Sequence, residues 1–191
     1  MPDLLAVCPL LYESTSEINL GRMDEHMKTP IGNKTLTVDL SSRLDKLGIV
    51  LPAPPTPLGA YVESSDTGSL LFLTGTLPVV NRKLAISGRL GDNLSVKEGQ
   101  DAARIAALNA LAAAKEHLGK LDRIKKLVKL TVLIATTEQF VDHAPVADGA
   151  SNLFVQIFGP EAGHTRLVYG VQSLPIGAPV IVDCIFEIKP A

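Results

Sequence analysis

The chain has 191 residues, a formal net charge of -2 and an apolar content of 46%. That suits one domain with a sizeable core, and the scarcity of aromatics and absence of Trp make the core aliphatic. No cluster of Lys and Arg offers a phosphate-binding surface, no apolar stretch approaches a membrane span, and no metal-ligand spacing links His26, His117, His143 and His164.

Residues 1–38 lack sustained periodicity and read as an N-terminal extension that adds little to the core; residues 39–191 form the domain proper. The apolar run Leu4–Leu11 follows Asp3 rather than a basic segment and contains Pro9, so a signal peptide is not expected. Met23 and Met27 are alternative translation starts, a reading that an intact mass measured on the native protein would decide. Cys8 and Cys184 are far apart and form no CxxC, which fits free thiols in a reducing cytoplasm.

Asp39–Gly48 reads as a short helix with Leu40, Leu44 and Leu47 on one side and Gly48 as its stop. Four prolines between Leu51 and Pro57 then impose an extended entry. Leu58–Glu63 and Ser69–Thr74 are expected strands joined by the turn formers Ser64–Gly68, and a weak third strand is expected near Lys83–Ser87. Ser95 and Glu98 form a capping box at the head of a helix over Val96–Leu118, and Gly119 closes it. Its apolar face is small-residue-rich, so its axis can approach a sheet.

Leu127–Ile134 is an expected strand. Val128, Leu130, Val132 and Ile134 take one face, and Leu127, Lys129, Thr131 and Leu133 the other. A second helix over Val146–Phe158 ends at Gly159-Pro160, and strands over His164–Val171 and Pro179–Ile188 complete the order ββ(β)αβαββ. Mixed strands with two helices on one face make a two-layer α+β domain.

Two residues conflict with their local pattern. Arg166 shares a strand face with His164, Val168 and Gly170; Asp183 lies between Ile181 and Ile185 on its own face. Such conflicts concentrate at functional sites. Arg166 fits either an ordinary ion pair, with Asp183 as a candidate partner, or a planar fork for a small carboxylate. Asp183 fits either a wet sheet edge or a desolvated acid that handles a water or proton. Thr74-Gly75-Thr76 after a strand could present amides to an anion, and Tyr61 by itself is a core or interface aromatic.

The run Gly59-Ala60-Tyr61-Val62 followed by Leu71–Pro78 resembles a tyrosine strand and the pattern F-(V/I)-S-G-Q-(I/L)-P. The run Thr165–Pro175 resembles A-R-x-x-V-x-V-x-x-L-P. Together these resemble the RidA (YjgF) family, over about residues 43–188. Arg43–Ile49 and Asp148–Leu153 resemble a longer subgroup labelled endoribonuclease L-PSP/chorismate-mutase-like. The resemblance implies a chorismate-mutase-like fold and a homotrimer in which three sheets make a central barrel with clefts between subunits.

It also implies hydrolysis of reactive enamines and imines of the 2-aminoacrylate type to 2-keto acids and ammonia, with no cofactor. On that reading Arg166 clamps the substrate carboxylate, Tyr61, Thr74 and Gly75 line the pocket, and Asp183 stands for the family's water-positioning glutamate. The chain departs from the family pattern at Asp183, one methylene shorter than Glu, at Val168 in place of Cys, and at Asp148 in place of Asn. The alternative reading is a non-catalytic regulatory trimer that binds a small carboxylate metabolite. An interaction module built on the N-terminal extension is a third.

Overall fold

Asp39 starts the first helix, α1 (Leu40–Lys46), by accepting the Ser42 N–H at 2.9 Å, and Gly48 ends it at φ +63°. This computed structural model describes residues 39–57 and 59–190. The extension over residues 1–38, with Cys8, Met23 and Met27, lies outside the described residues. Leu40 and Leu44 are buried as expected; Leu47 is 42% exposed, because it caps the helix rather than continuing its stripe.

The first strand falls later than the sequence suggests. Of the expected Leu58–Glu63, residue 58 lies outside the described residues and 59–63 form no strand; β1 is Ser64–Asp66, paired antiparallel with β2 (Leu70–Leu73). The turn is tighter than the run of polar residues implies. Asp66 Oδ1 accepts the Gly68 N–H, and the Thr67 N–H donates to the Leu70 carbonyl, so the polar residues Ser64–Asp66 are drawn into the ladder. The weak third strand is Lys83–Leu84 (β4), which pairs only with Val79–Val80 (β3) in a separate two-stranded ribbon. Positive φ at Asn81 and Arg82 supplies its turn.

The capping box of α2 (Val96–Leu118) is present in both directions. A 3-10 turn at Leu121–Arg123 leads into β5 (Ile124–Ala135), then α3 (His143–Phe158), β6 (Thr165–Val171) and β7 (Val180–Ile188). The main sheet runs β1-β2-β7-β5-β6, with β5 and β6 parallel across the α3 crossover and the other neighbours antiparallel. A two-layer α+β domain with a mixed sheet results, matching the expected fold class.

Irregular registers at Ile124/Lys126 and Leu127/Lys129 alter the expected alternation on β5. The bulge turns Leu127 inward, where it is fully buried with Leu130, Val132 and Ile134, and leaves Val128 half-buried.

The core lies between the sheet and the pair α2/α3. Ala102, Ala103, Ala106, Ala107 and Ala110 are fully buried. They let the helices approach closely: a Cβ on Gly149 of α3 would lie 2.1 Å from the carbonyl oxygen of Gln100 on α2. Among the described residues, the sheet's other face carries no helix. On it Phe72 is 40%, Leu167 39% and Tyr169 48% exposed, and Asp183, Ile181 and Ile185 are half-buried.

Two polar ties hold the periphery. Ser64 Oγ meets His117 Nδ1 at 2.9 Å and Asp66 Oδ2 meets its Nε2 at 2.6 Å, so β1 is fastened to the last turn of α2. The hydrogen bond from His117 holds the Asp66 carboxyl below the usual range. Asp122 Oδ1 accepts the Leu40 N–H at 2.9 Å and anchors α1. Among the described residues, no helix is long and apolar enough to cross a membrane.

Candidate functional site

Side chains alternate along a strand, so register decides which of the singled-out residues can meet. On β6, Arg166 stands opposite Leu130 of β5, and Leu130 stands opposite Cys184 of β7. Leu130 and Cys184 are fully buried beneath the helices, which puts Arg166 on the helix-covered face at the sheet's edge. Asp183 is opposite Thr131, and Thr131 opposite Leu167, on the uncovered face. The two residues therefore project from opposite sides of one sheet, and Asp183 is not the ion-pair partner of Arg166 in the same chain.

That partner is Asp148. One turn of α3 brings Asp148 and Ser151 over the β6 edge, where Arg166 Nη1 donates to Asp148 Oδ1 at 2.6 Å and to Ser151 Oγ at 3.2 Å. Ser151 Oγ also meets His164 Nε2 at 3.1 Å. Burial, and then the Arg166 charge, push the His164 pKa down, so the imidazole is neutral near pH 7. Both Arg166 contacts use Nη1; among the described residues no hydrogen bond is made by Nη2 or Nε. The guanidinium is thus held by one edge, which suits docking of a planar anion on the other. Ser151 is the member of this network that the sequence pattern did not single out, because a polar residue within an apolar helix stripe carries no sign of what it faces; His164 lies just before β6, on the Arg166 side as expected.

A second group lies on the opposite face and around its corner. Thr74 follows β2, and its N–H donates to the Glu63 carbonyl at 2.9 Å, two residues after Tyr61, which is 46% exposed. Thr76 exchanges backbone hydrogen bonds with Val182 at 2.8 and 3.0 Å, which runs Thr74–Thr76 alongside Ile181–Asp183. Gly75 is needed there: a Cβ would lie 2.7 Å from Ile181 Cγ2. An aliphatic side chain, not a carboxylate, faces Gly75.

Asp183 is the next residue outward on that strand face. Desolvation raises its pKa, with the nearby Lys129 charge acting in the other direction, as its apolar neighbours suggest. Burial also raises the Glu63 carboxyl at the same corner, at the end of the segment expected as the first strand. Val168 lies on the Arg166 face, opposite Val132, and is half-buried.

Cys184 is free and fully buried, and burial pushes its thiol pKa up, so it is not a nucleophile at neutral pH. Among the described residues no group of three His, Cys, Asp or Glu side chains is arranged to hold a metal ion.

Residues 41–188 match the family model described as "YjgF/chorismate mutase-like, putative endoribonuclease". Protein TCP17 of Trypanosoma cruzi is 41% identical over 151 residues, 78% of this chain and 94% of that protein. The crystal structure of Atu1372 from Agrobacterium tumefaciens, a protein of unknown function, is 36% identical. It superposes with a TM-score of 0.72 over 78% of this chain and 92% of that one. Escherichia coli TdcF, crystallised with bound serine, is 22% identical with a TM-score of 0.52 over 73% of this chain and 98% of that one, a likeness of fold.

Proposed function

The chain belongs to the YjgF/chorismate mutase-like family, and on that premise we propose that it hydrolyses reactive imines and enamines of 2-amino acids in a cleft shared by two copies of the chain. The observation that carries the reading is the division of the site residues between two faces of one sheet. Arg166, Asp148, Ser151 and His164 sit at the helix-covered edge, while Thr74, Gly75 and Asp183 belong to the open face. A single chain cannot bring the two groups around one small molecule. A neighbouring copy that packs its open face against the β6 edge can, and the exposed Phe72, Leu167 and Tyr169 supply apolar area for such packing. A homotrimer closes that heterologous contact into a ring.

In this cleft Arg166 of one subunit orients the substrate carboxylate, and Asp183 of the next takes a proton from water. An enamine first tautomerises to the imine. The water oxygen bonds to the C=N carbon and the proton passes to nitrogen, giving a carbinolamine. Its hydroxyl proton then moves to the amino nitrogen as the C–N bond breaks, releasing ammonia and leaving the 2-keto acid. The raised pKa of Asp183 suits proton transfer, since a carboxylate closer to the working pH is the better base. No cofactor is required. TdcF's bound serine supports a small amino-acid-like ligand for a protein of this fold. A cytoplasmic setting belongs to the same reading, with Cys184 as a free thiol.

The test is a coupled assay. A dehydratase generates 2-aminoacrylate from serine, semicarbazide traps it, and the protein is asked to suppress the trapped product. Suppression lost in Arg166→Ala supports the reading; suppression unchanged in that variant overturns the assignment of Arg166.

One observation favours a second reading. Gly75 packs against Ile181 Cγ2, so the side chain that meets its α-carbon is aliphatic and not an acid. A non-catalytic trimer that binds a small carboxylate would need only the Arg166 half. Thermal stabilisation by a 2-keto acid with no turnover would favour it.

A further inference from the structure

A cavity away from Arg166 is lined by residues that the site described above does not use. It lies at the other end of β6, holds about 480 Å³, and opens between the loops Ser87–Asn93 and Gln172–Ala178 over Ala135. That volume falls within the range of small-molecule sites.

Backbone hydrogen bonds fix both walls. The Gly88 N–H donates across the cavity's base to the Gly177 carbonyl at 3.1 Å, the Leu90 N–H to the Ala135 carbonyl at 2.9 Å, and the Arg89 N–H to Asn93 Oδ1 at 2.9 Å. Gly88 has φ +134°, and a Cβ on it would lie 2.5 Å from the Asn93 amide group, so the first loop accepts no side chain there. On the second loop Ile176 has φ +52° and ψ +17°. A β-branched residue pays strain in that region, and at 63% exposure Ile176 recovers little of it by burial. Strain retained without packing is a mark of functional sites.

The lining holds two opposite charges that do not neutralise each other. Arg89 donates through Nη2 to the Gln172 carbonyl, which orients its guanidinium, and no ion pair among the described residues includes Arg89 or Asp92. A dianion in this cavity meets the Asp92 carboxylate, and a simple cation meets the guanidinium. A molecule carrying both charges satisfies both walls. We propose that this cavity binds a free zwitterionic α-amino acid, its carboxylate on the open edge of Arg89 and its ammonium group on Asp92, with Leu174 and Ile176 against the side chain. This ligand site is distinct from the Arg166 cleft and does not depend on the reaction proposed there.

The test is a titration of the full-length protein followed by backbone amide NMR, with glycine, L-alanine, acetate and methylamine as probes. The expected result is saturable shifts at Gly88, Gly91 and Gly177 for both amino acids, with affinity at least about tenfold above that of acetate or methylamine. Arg89→Met should abolish the shifts, and Arg166→Ala should leave them. Asp92→Asn keeps the Arg89 anchor and should lower glycine binding to the level of acetate, which covers the case in which the Arg89 variant fails to fold. Equal binding of acetate and glycine, shifts that vanish only in Arg166→Ala, or no shifts with any probe would each overturn the proposal.

Discussion

Arg166 of β6 and Asp183 of β7 occupy adjacent rows of one sheet and point to opposite sides of it, Arg166 opposite Leu130 and Asp183 opposite Thr131 on the β5 strand between them. If one catalytic cleft uses both, two subunits build it. Arg166→Ala and Asp183→Asn chains, each inactive alone, should then complement when unfolded and refolded together. Random trimers from an equal mixture would contain about one quarter intact clefts. Recovery of about that fraction in the semicarbazide assay is expected; no recovery from well-folded mixed trimers would place the site within one chain.

Asp148 competes with any ligand carboxylate for Arg166, because it already holds Nη1 at 2.6 Å. Asp148→Asn should therefore lower KM severalfold. The Asp148 side chain is 45% exposed, so the same change should move stability by less than about 1 kcal/mol. Arg166→Ala should weaken carboxylate binding by about 1.5–3 kcal/mol, roughly 10- to 150-fold. Steady-state kinetics and thermal melts separate the two effects.

The raised pKa of Asp183 has consequences of two kinds. As a base it is lost on protonation, so the acid limb of the pH–rate profile should lie above the ordinary carboxylate value of about 4. Lys129→Met removes the charge that opposes the shift and should move that limb further upward. For stability the sign runs the other way. A carboxyl raised in the folded state favours folding when protonated, so its contribution is full below the unfolded pKa and disappears as pH rises through the folded one. Asp183→Asn should raise Tm at pH 7 and change it little at pH 3.

Gly149 sets the distance between α2 and α3. An added methyl would have to displace the Gln100 carbonyl, 2.1 Å from the ideal Cβ position and part of a helix backbone. Gly149→Ala should cost about 2–3 kcal/mol in spite of Ala's better helix propensity. Denaturant unfolding measures it, and a neutral result would mean the helices separate easily.

Ile176 offers the opposite case. Asn tolerates its left-handed conformation, and a residue 63% exposed loses little burial on replacement. Ile176→Asn should stabilise the fold by about 1 kcal/mol, raising Tm by about 2–4 °C.

By itself the sequence determined the element types, the α2 capping box, the α+β class and Arg166 as a charge out of pattern, because each depends on neighbours within a few residues. Hydrophobic period and cap chemistry are local properties. It misplaced β1, which a tight turn at Asp66–Gly68 puts over Ser64–Asp66, and the inward face at Leu127, where a bulge between Leu127 and Lys129 lets Leu127 share the buried face of Leu130, Val132 and Ile134. Only the tertiary structure decided that Asp148 rather than Asp183 meets Arg166, that Ile181 faces Gly75, and that Arg89 and Asp92 line a common cavity with Gln172. The Arg166, Gly75 and Gln172 contacts join residues that no local pattern links. They are set by strand register and by how closely alanine- and glycine-lined helices pack on the sheet.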